Sequence, residues 1–149
     1  MKEFYKNKKI IITGHTGFKG SWLAQILLNF GSDVVGISLS PENSPNLFDI
    51  LKIKKNIKNY FIDIRDYERL KLIFLKEKPE IVFHLAAQAI VRDSYDDPLN
   101  TFSTNVLGTA NILQAIKETD GVKSAVIITT DKVYENKESG KSFIETEKN

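Results

Sequence analysis

The sequence contains no cysteine, which excludes disulfides and is consistent with a reducing compartment. It also contains no apolar stretch long enough to span a membrane. Lysines are frequent in residues 1–9, but the apolar run that follows, residues 10–12, is too short for a signal peptide. The net charge is only +2 and the lysines are spread along the chain, so the composition does not indicate a nucleic-acid partner. We therefore expect a cytoplasmic protein that binds neither membranes nor nucleic acids.

Length and composition predict one soluble, globular domain over residues 1–149. The chain is 42% hydrophobic and 27% charged, and it is long enough to bury a substantial core. Apolar and β-branched runs predict strands at residues 10–12, 33–38, 57–63, 80–85 and 124–129. Helices are predicted after residue 20, at 66–78 with Asp66 as its cap, and at 98–118 with Asp97 as its cap. Residues 39–51 are predicted to form a loop with one helical turn at 46–51, and the segment before Asp97 a polar loop.

Strands and helices alternate along the chain, which requires crossover connections and a parallel sheet with helices on both faces. The predicted fold class is α/β, a doubly wound parallel sheet of the Rossmann type with strand order 3-2-1-4-5, incomplete at its C-terminus. Such sheets bind ligands across the carboxyl ends of their strands, at the switch point between strands 1 and 4. The candidate site residues all lie at or just after these strand ends.

Residues 10–21 predict an anion site between the first strand and the first helix. Gly14, Gly17 and Gly20 lie between an isoleucine run and an amphipathic segment. Gly14 permits a tight turn, Gly17 lets a phosphate approach the backbone, and Gly20 lets the helix pack close to the strand. The free amides and the positive dipole end of the helix would then face an anion. Because the spacing differs from the standard Gly-x-Gly-x-x-Gly fingerprint, a glycine-rich turn that binds nothing is the alternative.

Several residues near the strand ends have two interpretations each. Asp63 could accept a hydrogen bond from an adenine amino group, or it could be a helix cap or a solvated acid. The small Ala86 and Ala87 could let a flat ring pass the strand tip, or they could be ordinary packing. His15 could reach a phosphate or cap the glycine turn, whereas His84, within an apolar run, is expected to be a core histidine.

The tip of the second strand does not decide between NAD and NADP. An acid there would bind the ribose 2′-hydroxyl of NAD, and an arginine would accommodate the 2′-phosphate of NADP. Residues 36–40 contain neither. Asp33 lies at the other end of the strand, and Glu42 lies in the loop that follows it.

Five motifs together resemble the extended short-chain dehydrogenase/reductase family. They are Gly-His-Thr-Gly-Phe-Lys-Gly at 14–20, Asp-Ile-Arg-Asp at 63–66, Phe-His-Leu-Ala-Ala-Gln at 83–88, Thr-Asn-Val-Leu-Gly-Thr at 104–109 and Thr-Asp-Lys at 130–132. Within the family, Val-Arg-Asp-Ser-Tyr at 91–95 and Val-Tyr-Glu-Asn at 133–136 resemble the 4,6-dehydratases that act on CDP-glucose. The resemblance implies a lyase that uses NAD and no metal, acts on a sugar nucleotide and, at full length, forms a homo-oligomer.

The resemblance also assigns cofactor contacts to residues that follow the strands. Gly14, Gly17, Phe18 and Gly20 would lie at the pyrophosphate, with His15 as a further candidate; Asp63 and Ile64 would face the adenine; and Leu85, Ala86, Ala87 and Thr104 would lie on the ribose and nicotinamide side.

Thr130, Asp131 and Lys132 are the candidate catalytic residues. By their types alone they could supply a hydrogen-bond donor, a general acid and an electrostatic partner, or they could form a polar turn. The resemblance implies that Thr130 hydrogen-bonds the hexose C4 hydroxyl and that Asp131 protonates the departing C6 hydroxyl. Related dehydratases have a glutamate base for the C5 proton at the position of Lys132, and members that act on CDP-glucose share the lysine, so the identity of the C5 base stays open.

The family requires a Tyr-x-x-x-Lys pair on the helix after the fifth strand, and this chain lacks it, since Tyr134 is followed four residues later by Glu138. We therefore expect residues 1–149 to be the N-terminal, cofactor-binding part of a larger enzyme and to bind the dinucleotide without turnover. Two alternatives stay open. One is a fragment of a sugar-nucleotide 4-epimerase, against which Asp131 and Lys132 argue; the other is a dinucleotide-binding module without catalysis.

Overall fold

A parallel five-stranded sheet forms the centre of the computed structural model, which describes residues 1–130, 133–135, 140 and 142–146. The strands are β1 (Lys9–Thr13), β2 (Asp33–Ser38), β3 (Lys58–Phe61), β4 (Ile81–His84) and β5 (Ser124–Ile127). Their order is β3-β2-β1-β4-β5, and every neighbouring pair is parallel. The predicted doubly wound order is therefore confirmed, with the switch point between β1 and β4.

Helices connect the strands and cover both faces of the sheet. They are α1 (Lys2–Tyr5), α2 (Phe18–Asn29), α3 (Leu47–Ile50), α4 (Tyr67–Glu77), α5 (Val91–Asp96), α6 (Pro98–Phe102) and α7 (Thr109–Lys117). A 3₁₀ turn covers Ile53–Lys55, and a π-helical turn, Ser103–Gly108, joins α6 to α7. Within the described residues, no helix is both long and apolar enough to cross a lipid bilayer.

Side-chain caps determine where α4 and α6 begin, as the sequence predicts. The Asp66 carboxylate accepts a hydrogen bond from the amide of Arg69 at 3.2 Å. The Asp97 carboxylate accepts one from the amide of Asn100 at 3.0 Å. Each bond satisfies a first-turn N–H that has no partner inside its own helix.

The core consists of two apolar layers, one on each face of the sheet. Side chains of β1 alternate between them: Ile11 packs with α4 and α7, whereas Ile10 and Ile12 pack with α2 and α3. All three isoleucines are fully buried. β1 is thus covered on both faces, which is what a continuous apolar run in a parallel sheet predicts.

Two predicted segments differ from the structure. The segment before Asp97, predicted to be a polar loop, contains α5, none of whose residues is buried; its sequence therefore carries no apolar periodicity that would predict a helix. The single helix predicted at 98–118 is divided by the π-helical turn. At that turn a Cβ on Gly108 would lie 2.5 Å from Cδ1 of Ile64, so the glycine lets the turn pack directly against the segment after β3.

Candidate functional site

A cavity of about 470 Å³ lies at the carboxyl ends of β1, β2, β3 and β4. The lining residues after β1 and at the end of β2 are Gly14, Thr16, Gly17, Ser38, Leu39 and Glu42; those after β3 are Ile62, Asp63, Ile64 and Arg65; those after β4 are 85–90, Asp93, Asn100 and Thr104. This is the switch-point position at which open α/β sheets bind ligands, and the volume is in the range of small-molecule sites.

Most of the predicted cofactor residues line this cavity. They are Gly14, Gly17, Asp63, Ile64, Leu85, Ala86, Ala87 and Thr104. The fold thus brings together residues that are up to 90 positions apart in the sequence, as Gly14 and Thr104 are. Their individual contacts with a cofactor stay predictions.

The turn between β1 and α2 presents bare backbone to the cavity. Gly14 has a φ of +74°, which favours glycine, and a Cβ there would lie 2.8 Å from the amide nitrogen of Ala86. Gly17 is the N-cap of α2, and among the described residues no side chain caps this first turn. The first amides of α2 therefore carry partial positive charge without a side-chain partner, which is the arrangement that binds anions at helix N-termini.

His15 is not among the residues that line the cavity, and its contact with a phosphate stays a prediction. The imidazole is fully buried, and its Nε2 lies 3.0 Å from Oδ1 of Asn59. It packs against β2, where a Cβ on Gly36 would lie 2.5 Å from the ring. Burial lowers the pKa of His15, so the ring does not supply a positive charge for a phosphate.

Phe18 and Gly20 also lie outside the cavity lining. The Phe18 side chain is 71% exposed. Gly20 is buried, and a Cβ there would lie only 2.1 Å from the carbonyl oxygen of Gly14. Gly20 therefore lets α2 pack against the turn that follows β1, whereas the sequence predicted close packing on the strand itself. Any contribution of Gly20 to phosphate binding would come from backbone groups of this turn.

Asp63 and Arg65 form a paired ionic contact in the cavity wall after β3. Arg65 donates from Nε to both carboxylate oxygens of Asp63 at 3.0 Å and from Nη2 to Oδ2 at 2.6 Å. These bonds hold the pKa of Asp63 below its usual value. The same guanidinium donates from Nη1 to Asn100 at 2.9 Å and to Ser103 at 3.1 Å. Arg65 thus ties the end of β3 to α6 and the π-helical turn, a role that its spacing in the sequence did not indicate.

The end of β2 carries hydroxyls and one nearby carboxylate. The hydroxyls of Thr16 and Ser38 are 2.6 Å apart, and Thr16 also donates to the carbonyl of Leu39 at 3.1 Å. Glu42 lines the same side of the cavity. Among the lining residues that the structure describes, the one cationic side chain is Arg65, which is held by Asp63.

The loop after β4 is held by the π-helical turn. Asn105 accepts a hydrogen bond from the amide of Gln88 at 2.8 Å and donates one to its carbonyl at 2.9 Å. The Gln88 side chain donates to Thr101 at 3.0 Å. In the sequence, Asn105 stands out only as part of a motif, because nothing in its spacing shows which loop its side-chain amide reaches.

The candidate catalytic residues follow β5. Thr130 is described by the structure and is exposed. Asp131 and Lys132 lie outside the described residues, so their predicted roles stay predictions.

The sequence of this chain is similar to those of several known proteins. A family model described as GDP-mannose 4,6 dehydratase matches residues 11–148. The chain is 45% identical over 137 residues to CDP-glucose 4,6-dehydratase of Salmonella typhimurium, an alignment that covers 92% of this chain and 38% of that protein. It is 35% identical over 133 residues to UDP-glucuronate 4-epimerase of Thermodesulfobacterium geofontis, which covers 83% of this chain and 40% of the relative. The chain thus spans about two fifths of the length of these curated relatives.

Solved structures share the same fold. UDP-glucose 4-epimerase of Thermus thermophilus in complex with NAD matches 94% of this chain and 43% of its own, with a TM-score of 0.81 and 30% identity. UDP-glucose-4-epimerase of Stenotrophomonas maltophila, with bound NAD and formylated UDP-arabinopyranose, matches 95% of this chain and 42% of its own, with a TM-score of 0.82 and 25% identity.

Proposed function

The chain belongs to the GDP-mannose 4,6 dehydratase family, and from this membership we propose that it is the NAD-binding part of an enzyme that modifies a sugar nucleotide. The observation that carries the proposal is the cavity at the switch point, with an uncapped helix N-terminus and the bare Gly17 on its wall. Solved relatives with this fold contain NAD. A nicotinamide cofactor, when bound, exchanges a hydride with a substrate carbon.

The residues around the cavity fit a dinucleotide. Gly17 leaves its side of the turn open, since a Cβ there would meet only the Gly14 carbonyl, at 3.4 Å. The adjoining first-turn amides of α2 would hold the diphosphate. Asp63 and Ile64 would lie at the adenine, and Ala86 and Ala87 would leave room beside β4 for a flat ring.

The charges around the cavity favour NAD over NADP. Glu42, Asp63 and Asp93 contribute carboxylates to the lining. The guanidinium of Arg65 is already paired with Asp63 and bonded to Asn100. A 2′-phosphate would therefore meet carboxylates without a free cation among the described lining residues, whereas a 2′-hydroxyl could donate to one of them.

We propose CDP-glucose as the substrate and CDP-4-dehydro-6-deoxyglucose as the product of the whole protein. The support is the 45% identity to the Salmonella dehydratase, against 35% to the uronate epimerase. In this proposal Thr130 hydrogen-bonds the C4 hydroxyl and Asp131 gives a proton to the C6 hydroxyl, which leaves as water. Lys132 is proposed as an electrostatic partner in the same reaction, and the residue that takes the C5 proton stays open.

A 4-epimerase is the second candidate, because epimerases are among both the sequence relatives and the solved structures that share this fold. An epimerase would need no acid for a departing C6 hydroxyl, so a proton donor at Asp131 distinguishes the two reactions. In either case we propose that residues 1–149 alone bind the dinucleotide without turnover.

The variant Gly17→Val tests the proposed cofactor site. The larger side chain would occupy the open side of the turn and keep the diphosphate from the α2 amides. Losing two charge-assisted hydrogen bonds corresponds to about 100-fold weaker binding or more. Calorimetric titration of NAD into the purified chain would measure this, with circular dichroism to show that the variant is folded.

Ser124→Val is the matched control. Ser124 is exposed at the amino end of β5, at the end of the sheet opposite the cavity, and a strand accommodates valine well. We expect the control to bind NAD as the unmodified chain does. Equal binding by Gly17→Val would remove the turn from the cofactor site, and no binding by the unmodified chain would overturn the proposed function.

A further inference from the structure

His84 is buried and hydrogen-bonded at both ring nitrogens, although it does not line the cavity. It is the last residue of β4, and its side chain is only 2% exposed. Its Nδ1 lies 2.6 Å from Oγ1 of Thr13, and its Nε2 lies 2.9 Å from Oγ1 of Thr109. The ring thus bridges the end of β1 and the start of α7.

The neighbouring bonds determine the direction of this bridge. Oγ1 of Thr13 accepts hydrogen bonds from the amides of Leu85 and Ala86, each at 3.1 Å. The Leu85 amide also reaches the carbonyl of Thr13, at 3.2 Å, so these two bonds by themselves do not fix the role of the Thr13 hydroxyl. The Thr109 hydroxyl fixes it, because its one hydrogen is donated to the carbonyl of Asn105 at 2.7 Å and it can therefore only accept from Nε2 of His84. The neutral ring then carries its hydrogen on Nε2, and its unprotonated Nδ1 accepts from the Thr13 hydroxyl.

This series of hydrogen bonds connects three segments of the protein that line or adjoin the cavity. Thr13 directly precedes Gly14, the amides that it binds belong to the lining residues Leu85 and Ala86, and Asn105 directly follows the lining residue Thr104. We propose that Thr13, His84 and Thr109 form a one-way hydrogen-bond relay, a series of hydrogen bonds that are all donated in the same direction. The relay fixes the distances between the β1–α2 turn, the loop after β4 and the π-helical turn, so His84 is a positioning residue for the dinucleotide. The proposal rests on the proposed NAD site.

The relay requires a neutral ring. A proton on Nδ1 would compete with the amides of Leu85 and Ala86 for the two lone pairs of the Thr13 hydroxyl, so one of these amides would lose its bond to Oγ1. The Leu85 amide would still reach the carbonyl of Thr13, at 3.2 Å. Burial lowers the pKa of His84 to about 4, which keeps the ring neutral at pH 7.

Nitrogen-15 NMR of the imidazole rings tests the direction of the relay without any cofactor. The chain contains only two histidines, so the variant His15→Asn identifies the His84 signals by subtraction. We expect a neutral His84 with the hydrogen on Nε2 and an unprotonated Nδ1 at pH 7. The opposite tautomer, or a charged ring, would overturn the relay.

The variant Thr109→Val tests whether the relay positions the cofactor. It removes the hydroxyl between His84 and Asn105 while keeping the shape of the side chain, and we expect NAD binding to weaken by about tenfold. Thr109→Ser keeps the hydroxyl and should restore affinity. Thr119→Val is the matched control, because the buried Thr119 hydroxyl also donates to a helical carbonyl, that of Ala115 at 2.8 Å, near the far end of α7.

The two measurements separate the relay from the proposed function. Unchanged NAD affinity in Thr109→Val, or equal loss in Thr119→Val, would overturn the positioning role while leaving the NAD site intact. Absence of NAD binding by the unmodified chain would overturn the site, and the NMR result would still decide the direction of the relay. If Thr109→Val does not fold, Thr109→Ala provides the same comparison against Thr109→Ser.

Discussion

Replacing Gly20 by alanine should destabilise the protein, although the substitution lies inside a helix. Gly20 is in the first turn of α2 and is buried against the glycine turn. A Cβ there would lie 2.1 Å from the carbonyl oxygen of Gly14 and 2.9 Å from Cα of His15. Both neighbours are backbone atoms, so no side-chain rotation can relieve the overlap. Either α2 or the turn must move by about 1 Å to restore a normal contact.

The expected magnitude follows from two opposing effects. Alanine in place of glycine would stabilise a helix interior by about 1 kcal/mol. Forcing a methyl group into a closely packed contact costs about 1–3 kcal/mol, and the shift would also stretch the 3.0 Å bond from the Ser21 hydroxyl to the His15 carbonyl, worth about 1 kcal/mol. We therefore expect a net loss of about 1–3 kcal/mol in the free energy of unfolding.

Urea unfolding of the unmodified chain, Gly20→Ala and Gly17→Ala would measure this loss. Gly17 is the control because it lies in the same turn, its φ is −75°, and a Cβ there would have 3.4 Å to the same Gly14 oxygen. Gly17→Ala should stay within about 1 kcal/mol of the unmodified chain. A Gly20→Ala protein as stable as the unmodified chain, or more stable, would refute the close packing of α2 on the turn.

Three further predictions concern acid stability, the cavity wall and catalysis. Burial lowers the pKa of His84 from 6.5 to about 4, so the unfolded chain binds more protons than the folded chain between these two pH values. The free energy of unfolding should therefore fall as the pH drops from 6.5 to about 4, and it should fall less steeply in His84→Asn. Denaturant unfolding repeated at stepped pH would measure both. Arg65→Lys cannot keep both the paired bonds to Asp63 and the bond to Asn100, so calorimetry should show NAD binding about tenfold weaker; unchanged affinity would contradict its role in the cavity wall. In the whole enzyme, Asp131→Asn should slow C6 elimination more than C4 oxidation in single-turnover kinetics, and equal slowing of both steps would remove Asp131 from its proposed role.

Local signals and topology rules made the sheet predictable. The run at 10–12 is apolar throughout because β1 is covered on both faces, and the alternation of strands and helices leaves few arrangements other than parallel crossovers. Asp66 and Asp97 each cap a helix by accepting a hydrogen bond from the amide three residues later in the sequence. Sequence patterns can predict contacts over such a short separation.

The missed features depend on contacts between distant segments. Nothing near His15 in the sequence shows that its ring packs beneath Gly36 and reaches Asn59, 44 residues away. The hydrogen bond from Arg65 to Asn100 joins residues that are 35 positions apart in the sequence. Helix α5 has no buried face, so its sequence shows no periodic apolar pattern. Such features are determined by packing after the sheet has formed, so a pattern within one segment does not contain them.

The amide signals of Gly14, Gly17 and Ala86 test most directly whether a dinucleotide lies on the turn between β1 and α2. In an NMR titration of the nitrogen-15-labelled chain with NAD, we predict saturable shifts that are largest at these residues and absent at Ser124, at the opposite end of the sheet. A lack of saturable shifts, or the largest shifts at the end of the sheet that carries Ser124, would contradict the proposed site.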